Sequence, residues 1–231
     1  MISYNEFMEN FSIVRDRMES AEYQCGRKVG EVKLLPVTKT HPIEAVHYAL
    51  EVGLDRVGEN RVQEAVCKIS ESKGLEISWD LIGHLQSNKA ALAVKTFNRI
   101  ESVDSIRLAR KLDGFAFETP GKLSCLIQVN SGKDPKKYGF DIEGFEDVFD
   151  QLLEFDNLEI DGLMTIAPFE GGRDAAKIAF VRLRELIEKL RIRSGLPLAE
   201  LSMGMSGDME DAIAEGSTLI RVGSALFGRR E

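Results

Sequence analysis

Two cations stand in apolar surroundings where they could do chemistry. Lys39 closes the run Leu-Leu-Pro-Val-Thr-Lys-Thr, and Arg221 sits inside Leu-Ile-Arg-Val. In an extended segment side chains alternate between faces, so Leu35, Val37 and Lys39 share one face and Leu219, Arg221 and Gly223 share another. Burying a long cation without a partner is costly. One reading pairs both with carboxylates such as Glu59 or Asp80. The other gives them an anionic or carbonyl ligand, with a desolvated lysine of lowered pKa as a Schiff-base amine.

Small-residue turns lie close by in the chain. Ser202-Met203-Gly204-Met205-Ser206-Gly207-Asp208 precedes a helical pattern containing Ala212 and Ile213. Ser206 is placed as the N-cap there, with free amides behind it that suit an anion. Gly223-Ser224-Ala225 makes a second turn where backbone can approach a phosphate. Against this, Asp208, Glu210 and Asp211 can complement the helix dipole themselves and would repel a phosphate. Asn60 follows Gly58-Glu59, and His84 opens the run to Lys89 after Gly83. His84 reads as an acid/base group, a stacking group or a solvated hydrogen-bonder. Gly132-Lys133 with Lys136-Lys137 reads as solvated basic surface, and Gly171-Gly172 as a flexible loop tip. No Walker loop, GxGxxG or Ser–His–Asp arrangement is present. His41, His47 and His84, like Cys25, Cys67 and Cys125, are too dispersed for a metal site, and the odd thiols point to the reducing cytoplasm.

The elements that must position these residues follow from periodicity. Ser3 and Glu6 form a capping box ahead of Phe7, Phe11, Val14, Met18, Ala21 and Cys25 at helical spacing, which predicts an amino-terminal helix within residues 1–28. Strands are predicted at Leu34–Val37, Arg56–Val57, Trp79–Ile82, Arg99–Val103, Leu123–Val129, Leu158–Met164, Glu200–Met203 and Leu219–Val222. Helical patterns separate them, clearest over Ala176, Phe180, Leu183, Ile187 and Leu190, which end at Gly195. The alternation predicts one α/β domain, a (β/α)8 barrel over residues 31–231, with function at the carboxyl ends of its strands. A doubly wound open sheet has the same periodicity. Pro36 interrupts the first strand and predicts a bulge or an unpaired position there.

The 231 residues carry 30 basic and 38 acidic side chains, a net charge of −8. That balance argues against broad affinity for nucleic acid or an anionic membrane, and no apolar run has the ~20 residues a membrane helix needs. A small basic pocket is compatible with it.

Val37-Thr38-Lys39-Thr40, Gly58-Glu59-Asn60-Arg61-Val62-Gln63-Glu64, Ile82 through Lys89, Leu201 through Asp208 and Ile220-Arg221-Val222-Gly223-Ser224 occur in this order. The ordered set closely resembles the pyridoxal phosphate homeostasis proteins, end to end. The family fold is similar to the amino-terminal barrel of alanine racemase. The resemblance implies that Lys39 carries pyridoxal 5′-phosphate as an aldimine and that Arg221 faces the pyridine nitrogen. It implies that Ser206 and the backbone around Gly207, Gly223 and Ser224 hold the phosphate, and that Asn60 and His84 line the rim near the ring.

An arginine at the ring nitrogen disfavours its protonation and makes the ring a poorer electron sink. A racemase also needs a second base. Tyr4, Tyr23, Tyr48 and Tyr138 show no context matching the tyrosine of alanine racemase, and the sequence stops at Glu231 without that enzyme's second domain. The expectation is therefore a monomeric cofactor carrier that buffers pyridoxal phosphate and delivers it to recipient enzymes, without robust catalysis. The alternatives are a low-activity pyridoxal-phosphate-dependent amino-acid racemase and a cofactor-free Schiff-base lyase acting on a sugar phosphate.

Overall fold

The computed structural model describes residues 1–228, so the last three residues of the predicted barrel span lie outside the described residues. Helix α1 spans Tyr4–Gln24 and opens with the expected capping box, the Glu6 carboxylate accepting the Ser3 N–H at 2.8 Å. Its buried stripe of Phe7, Val14, Met18 and Ala21 repeats at helical spacing.

Among the described residues nine strands follow: β1 Lys33–Pro36, β2 Arg56–Glu59, β3 Ser78–Leu81, β4 Arg99–Val103, β5 Leu123–Asn130, β6 Phe140–Asp141, β7 Leu158–Met164, β8 Glu200–Ser202 and β9 Leu219–Val222. All pair in parallel, in the order β1-β9-β8-β7-β5-β4-β3-β2, with the two-residue β6 attached to the end of β5. Between them lie α2 Glu44–Glu51, α3 Val62–Glu71, α4 Ala90–Thr96, α5 Ile106–Ala116, α6 Phe145–Leu152, α7 Gly172–Ser194, α8 Met209–Ala214 and α9 Ser224–Phe227. β6 was not anticipated; two residues carry too little pattern to register. Gly171 and Gly172 are the N-cap and first residue of α7 rather than a loop tip.

The ring closes between β1 and β2 through an isolated bridge, Val37 to Gly58, in which the Thr38 N–H donates to the Gly58 carbonyl at 3.1 Å. Pro36 explains why this ladder is so short. The amides of Lys33 and Val37 donate to Thr218 and Val222 on the β9 side, whereas that of Thr38 points towards β2. By the same alternation, residue 36 would donate towards β2, and proline has no N–H to give. Pro36 is in register with Val222 of β9, so of the bulge or unpaired position predicted there only a missing donor on the β2 side is found, at the seam of the barrel.

The main apolar core fills the layer between strands and helices, with Phe7, Phe145, Phe149, Phe180 and Phe227 fully buried in it. Each such ring removes enough area from water to stabilise the fold by about 1.5–3 kcal/mol. Inside the barrel a separate small cluster, Leu35, Val37, Ile82 and Leu219, holds the β1–β9 side. Buried charged residues lie on β3, β4 and β9: Asp80, Arg99 with Glu101, and Arg221.

Candidate functional site

A cavity of about 560 Å³ opens at the carboxyl ends of the strands, and Lys39, Asn60, His84, Ser206, Gly207, Arg221, Gly223 and Ser224 all line it. Four further polar residues that were not anticipated there, Gln128, Lys136, Lys137 and Tyr138, stand in its wall. The lining thus holds three lysines and an arginine but no carboxylate, in a chain whose net charge is −8. Such a pocket favours an anion over the rest of the surface.

Lys39 is held from behind. The Lys68 ammonium, buried under α3, donates to the Thr38 carbonyl at 2.7 Å, to Glu59 at 2.6 Å and to Glu64 at 2.9 Å. The Thr38 hydroxyl donates to Glu59 at 2.6 Å, and the Thr40 amide donates to Glu64. Residues 38 and 40 are therefore both tied to one ion cluster on the helix side of the sheet, while Lys39 lines the cavity. Thr40 takes φ +63°, a left-handed conformation in which a β-branched residue is strained. Burial raises the pKa of Glu59, opposed by its bonds from Lys68 and Thr38.

Arg221 is 4% exposed. It donates to the Ser202 hydroxyl and to the Thr165 carbonyl, both at 2.7 Å. Ser202 in turn donates to Glu101 at 2.6 Å, Glu101 accepts from Arg99 at 3.1 Å, and Arg99 and Arg56 both bind Asp80, at 2.9 and 2.6 Å. A chain of alternating charges therefore runs through the barrel interior from Arg56 up to Arg221. Burial draws the Arg221 pKa down, countered by Glu101 and Asp208. Of the two carboxylates considered as partners, Asp80 belongs to Arg56 and Arg99, and Glu59 is bound by Lys68 and Thr38. Arg221 reaches a carboxylate only through Ser202.

The turn after β8 differs from its expected form in one respect. The N-cap of α8 is Asp208, not Ser206. The Asp208 carboxylate accepts the Met205 N–H at 2.6 Å, which closes the turn two residues later and leaves Ser206 and Gly207 on the cavity wall. Among the described residues the amides of Ser206, Gly207, Gly223 and Ser224 have no acceptor. A Cβ built on Gly207 meets nothing within 4 Å. The absent side chain leaves open space against these amides, of the kind an anion would fill.

On the opposite rim, Gly83 lets the ends of β2 and β3 touch, since a Cβ there would lie 2.3 Å from the Asn60 carbonyl oxygen. His84 then stands beside Asn60, its Nδ1 2.7 Å from the Asp104 carboxylate. The imidazole stacks on Tyr138 with ring centroids 3.7 Å apart and planes 9° from parallel. One expectation is corrected here. The loop of Lys133 to Lys137 is not merely solvated surface, because Lys136 and Lys137 line the cavity, as does Tyr138 next to them. Gln128 ties that loop down by donating to the Tyr138 carbonyl at 2.9 Å. Among the described residues, no cluster of His, Cys, Asp and Glu is arranged to hold a metal ion.

Residues 3–231 match the family described as alanine racemase, N-terminal domain. A pyridoxal phosphate homeostasis protein of Aquifex aeolicus (strain VF5) is 38% identical over 96% of this chain and 98% of its own length. The chain belongs to the pyridoxal phosphate homeostasis protein family. PipY of Synechococcus elongatus PCC7942, solved with PLP bound, is 39% identical and superposes with a TM-score of 0.82, over 93% of this chain and all of its own. Alanine racemase of Clostridium difficile 630, at 14% identity and a TM-score of 0.79, shares the fold over 98% of this chain and 57% of its own.

Proposed function

We propose that this chain binds pyridoxal 5′-phosphate reversibly through Lys39 and, in the cytoplasm, keeps it available to recipient enzymes without robust turnover of its own. The observation that carries the reading is the cavity's donor set: three lysines, one buried arginine and four amides without an acceptor among the described residues, with no carboxylate in the lining. The cofactor supplies an aldehyde, with which a neutral amine condenses reversibly with loss of water. Lys39 offers that amine from the inward line of β1. Arg221, fixed by Ser202 and Thr165, would meet the ring nitrogen of the bound cofactor and oppose its protonation. Ser206, Gly207, Gly223 and Ser224 would hold the phosphate, and Asn60 and His84 would border the ring. The names of the relatives favour homeostasis over catalysis.

One observation favours a second reading, weak amino-acid racemisation. The Asp104–His84 pair, stacked on Tyr138, puts a proton-accepting group on the cavity wall. Solvent deuterium appearing at the α-carbon of an amino acid, lost on His84→Ala, would support it.

The deciding experiment is the visible spectrum of purified protein before and after borohydride, followed by peptide mapping. A coloured band that reduction fixes on Lys39 is expected. Protein that stays colourless after pyridoxal phosphate is added would overturn the reading.

A further inference from the structure

One contact reaches the anion cradle from outside the barrel. Arg17, in the middle of α1, donates Nε and Nη2 to the two Glu210 carboxylate oxygens at 2.7 and 3.1 Å. The same Nη2 donates to the Ser206 carbonyl at 3.0 Å. A trans peptide is planar, with its C=O and N–H directed to opposite sides, and no described peptide is cis. Since the Ser206 carbonyl is held towards α1, the Gly207 N–H of the same peptide is turned away from α1, and Gly207 lines the cavity. The guanidinium suits this task because its planar fork engages a carboxylate in two places and still reaches a third acceptor.

Other contacts of α1 converge on the same part of the chain. Asn10 donates to the Leu226 carbonyl at 3.1 Å, just behind the Gly223 turn, and Phe7 stacks on Phe227 at 5.5 Å. Helix α1 thus backs both small-residue turns, and Arg17 is the side chain that touches the peptide bearing a free amide.

We propose that Arg17 is a positioning residue for the ligand's phosphate: through the Ser206 carbonyl it fixes the Gly207 amide, so that preference for a phosphorylated over an unphosphorylated pyridoxal depends on a helix outside the barrel. This rests on the reading of the cavity as a pyridoxal phosphate site and assigns a residue to its phosphate selectivity.

The test is calorimetric titration of the full chain with pyridoxal phosphate, pyridoxal and inorganic phosphate. The parent protein should bind pyridoxal phosphate more tightly than pyridoxal. Arg17→Met should weaken pyridoxal phosphate and inorganic phosphate by about ten- to a hundredfold, the range of one charge-assisted hydrogen bond, and leave pyridoxal within about twofold. Arg17→Lys, which keeps a cation near the Ser206 carbonyl, should recover part of the loss. If Arg17→Met lowers both pyridoxal ligands equally, or neither, the positioning role is wrong. Should that variant not fold, Glu210→Gln removes the guanidinium's anchor while leaving the guanidinium. It should lower the same ratio by about threefold or more, and an unchanged ratio would overturn the proposal. A parent protein that binds pyridoxal phosphate no better than pyridoxal would instead overturn the cofactor reading itself.

Discussion

Lys39 and Arg221 were legible as a pair because strand alternation is a local property: a residue's face follows from its immediate neighbours. Their supports were not legible. Ser202 and Glu101 are 101 positions apart and meet only because β4 and β8 face each other across a closed barrel. Replacing Lys39 with Ala should abolish the borohydride-fixed adduct yet leave weak binding of pyridoxal phosphate through the turn amides. Parent-like affinity measured by calorimetry would exclude Lys39 as the attachment point. The interior charge chain supplies a pH dependence. Burial, with Glu101 close by, pushes the Asp80 carboxyl from 3.8 up to about 7. A group raised on folding holds a proton in the native state that the unfolded chain has released, so its contribution to stability is complete below about 4 and is lost as pH rises towards 7. Urea midpoints of the parent should therefore fall relative to those of Asp80→Asn between pH 4 and 7. Parallel curves for the two would remove Asp80 as the titrating group.

Among elements, the strands were read nearly as they occur, and the errors have physical sources. The shift of the α8 N-cap from Ser206 to Asp208 comes from a side chain two residues on that closes the turn by accepting the Met205 amide, a competition among Ser, Gly and Asp that local propensity does not decide. Tyr138 was missed because its loop is polar and its stacking partner lies 54 positions earlier; an aromatic between Lys137 and Gly139 was the available signal. In β7 the Asp161-Gly162 pair marks a register shift against β5, with the Asp161 carboxylate accepting the Ser124 hydroxyl. Gly162 also abuts β8 so closely that a Cβ would lie 1.8 Å from the Glu200 carbonyl oxygen. Gly162→Ala must push two paired strands apart and should destabilise the fold by about 1–3 kcal/mol or more in urea unfolding. A variant as stable as the parent would show that β8 yields freely.

For the molecule as a whole, alternation gave the parallel α/β class, while closure depends on how β1 meets β2 and leaves only one trace in the sequence, Pro36. Backbone closure there rests on the Val37–Gly58 bridge, whereas β5 has ladder partners on both sides, in β4 and in β7. Native-state hydrogen exchange should accordingly find the Thr38 amide far less protected than those of Leu126 and Ile127. Equal protection would mean that the seam opens only with the whole barrel. Under load the same asymmetry has a direction. Force applied across Val37 and Gly58 meets one backbone bridge and the Thr38–Glu59–Lys68 cluster beside it; once these part the barrel unrolls, and the strand that becomes a free edge is the one leading into Lys39.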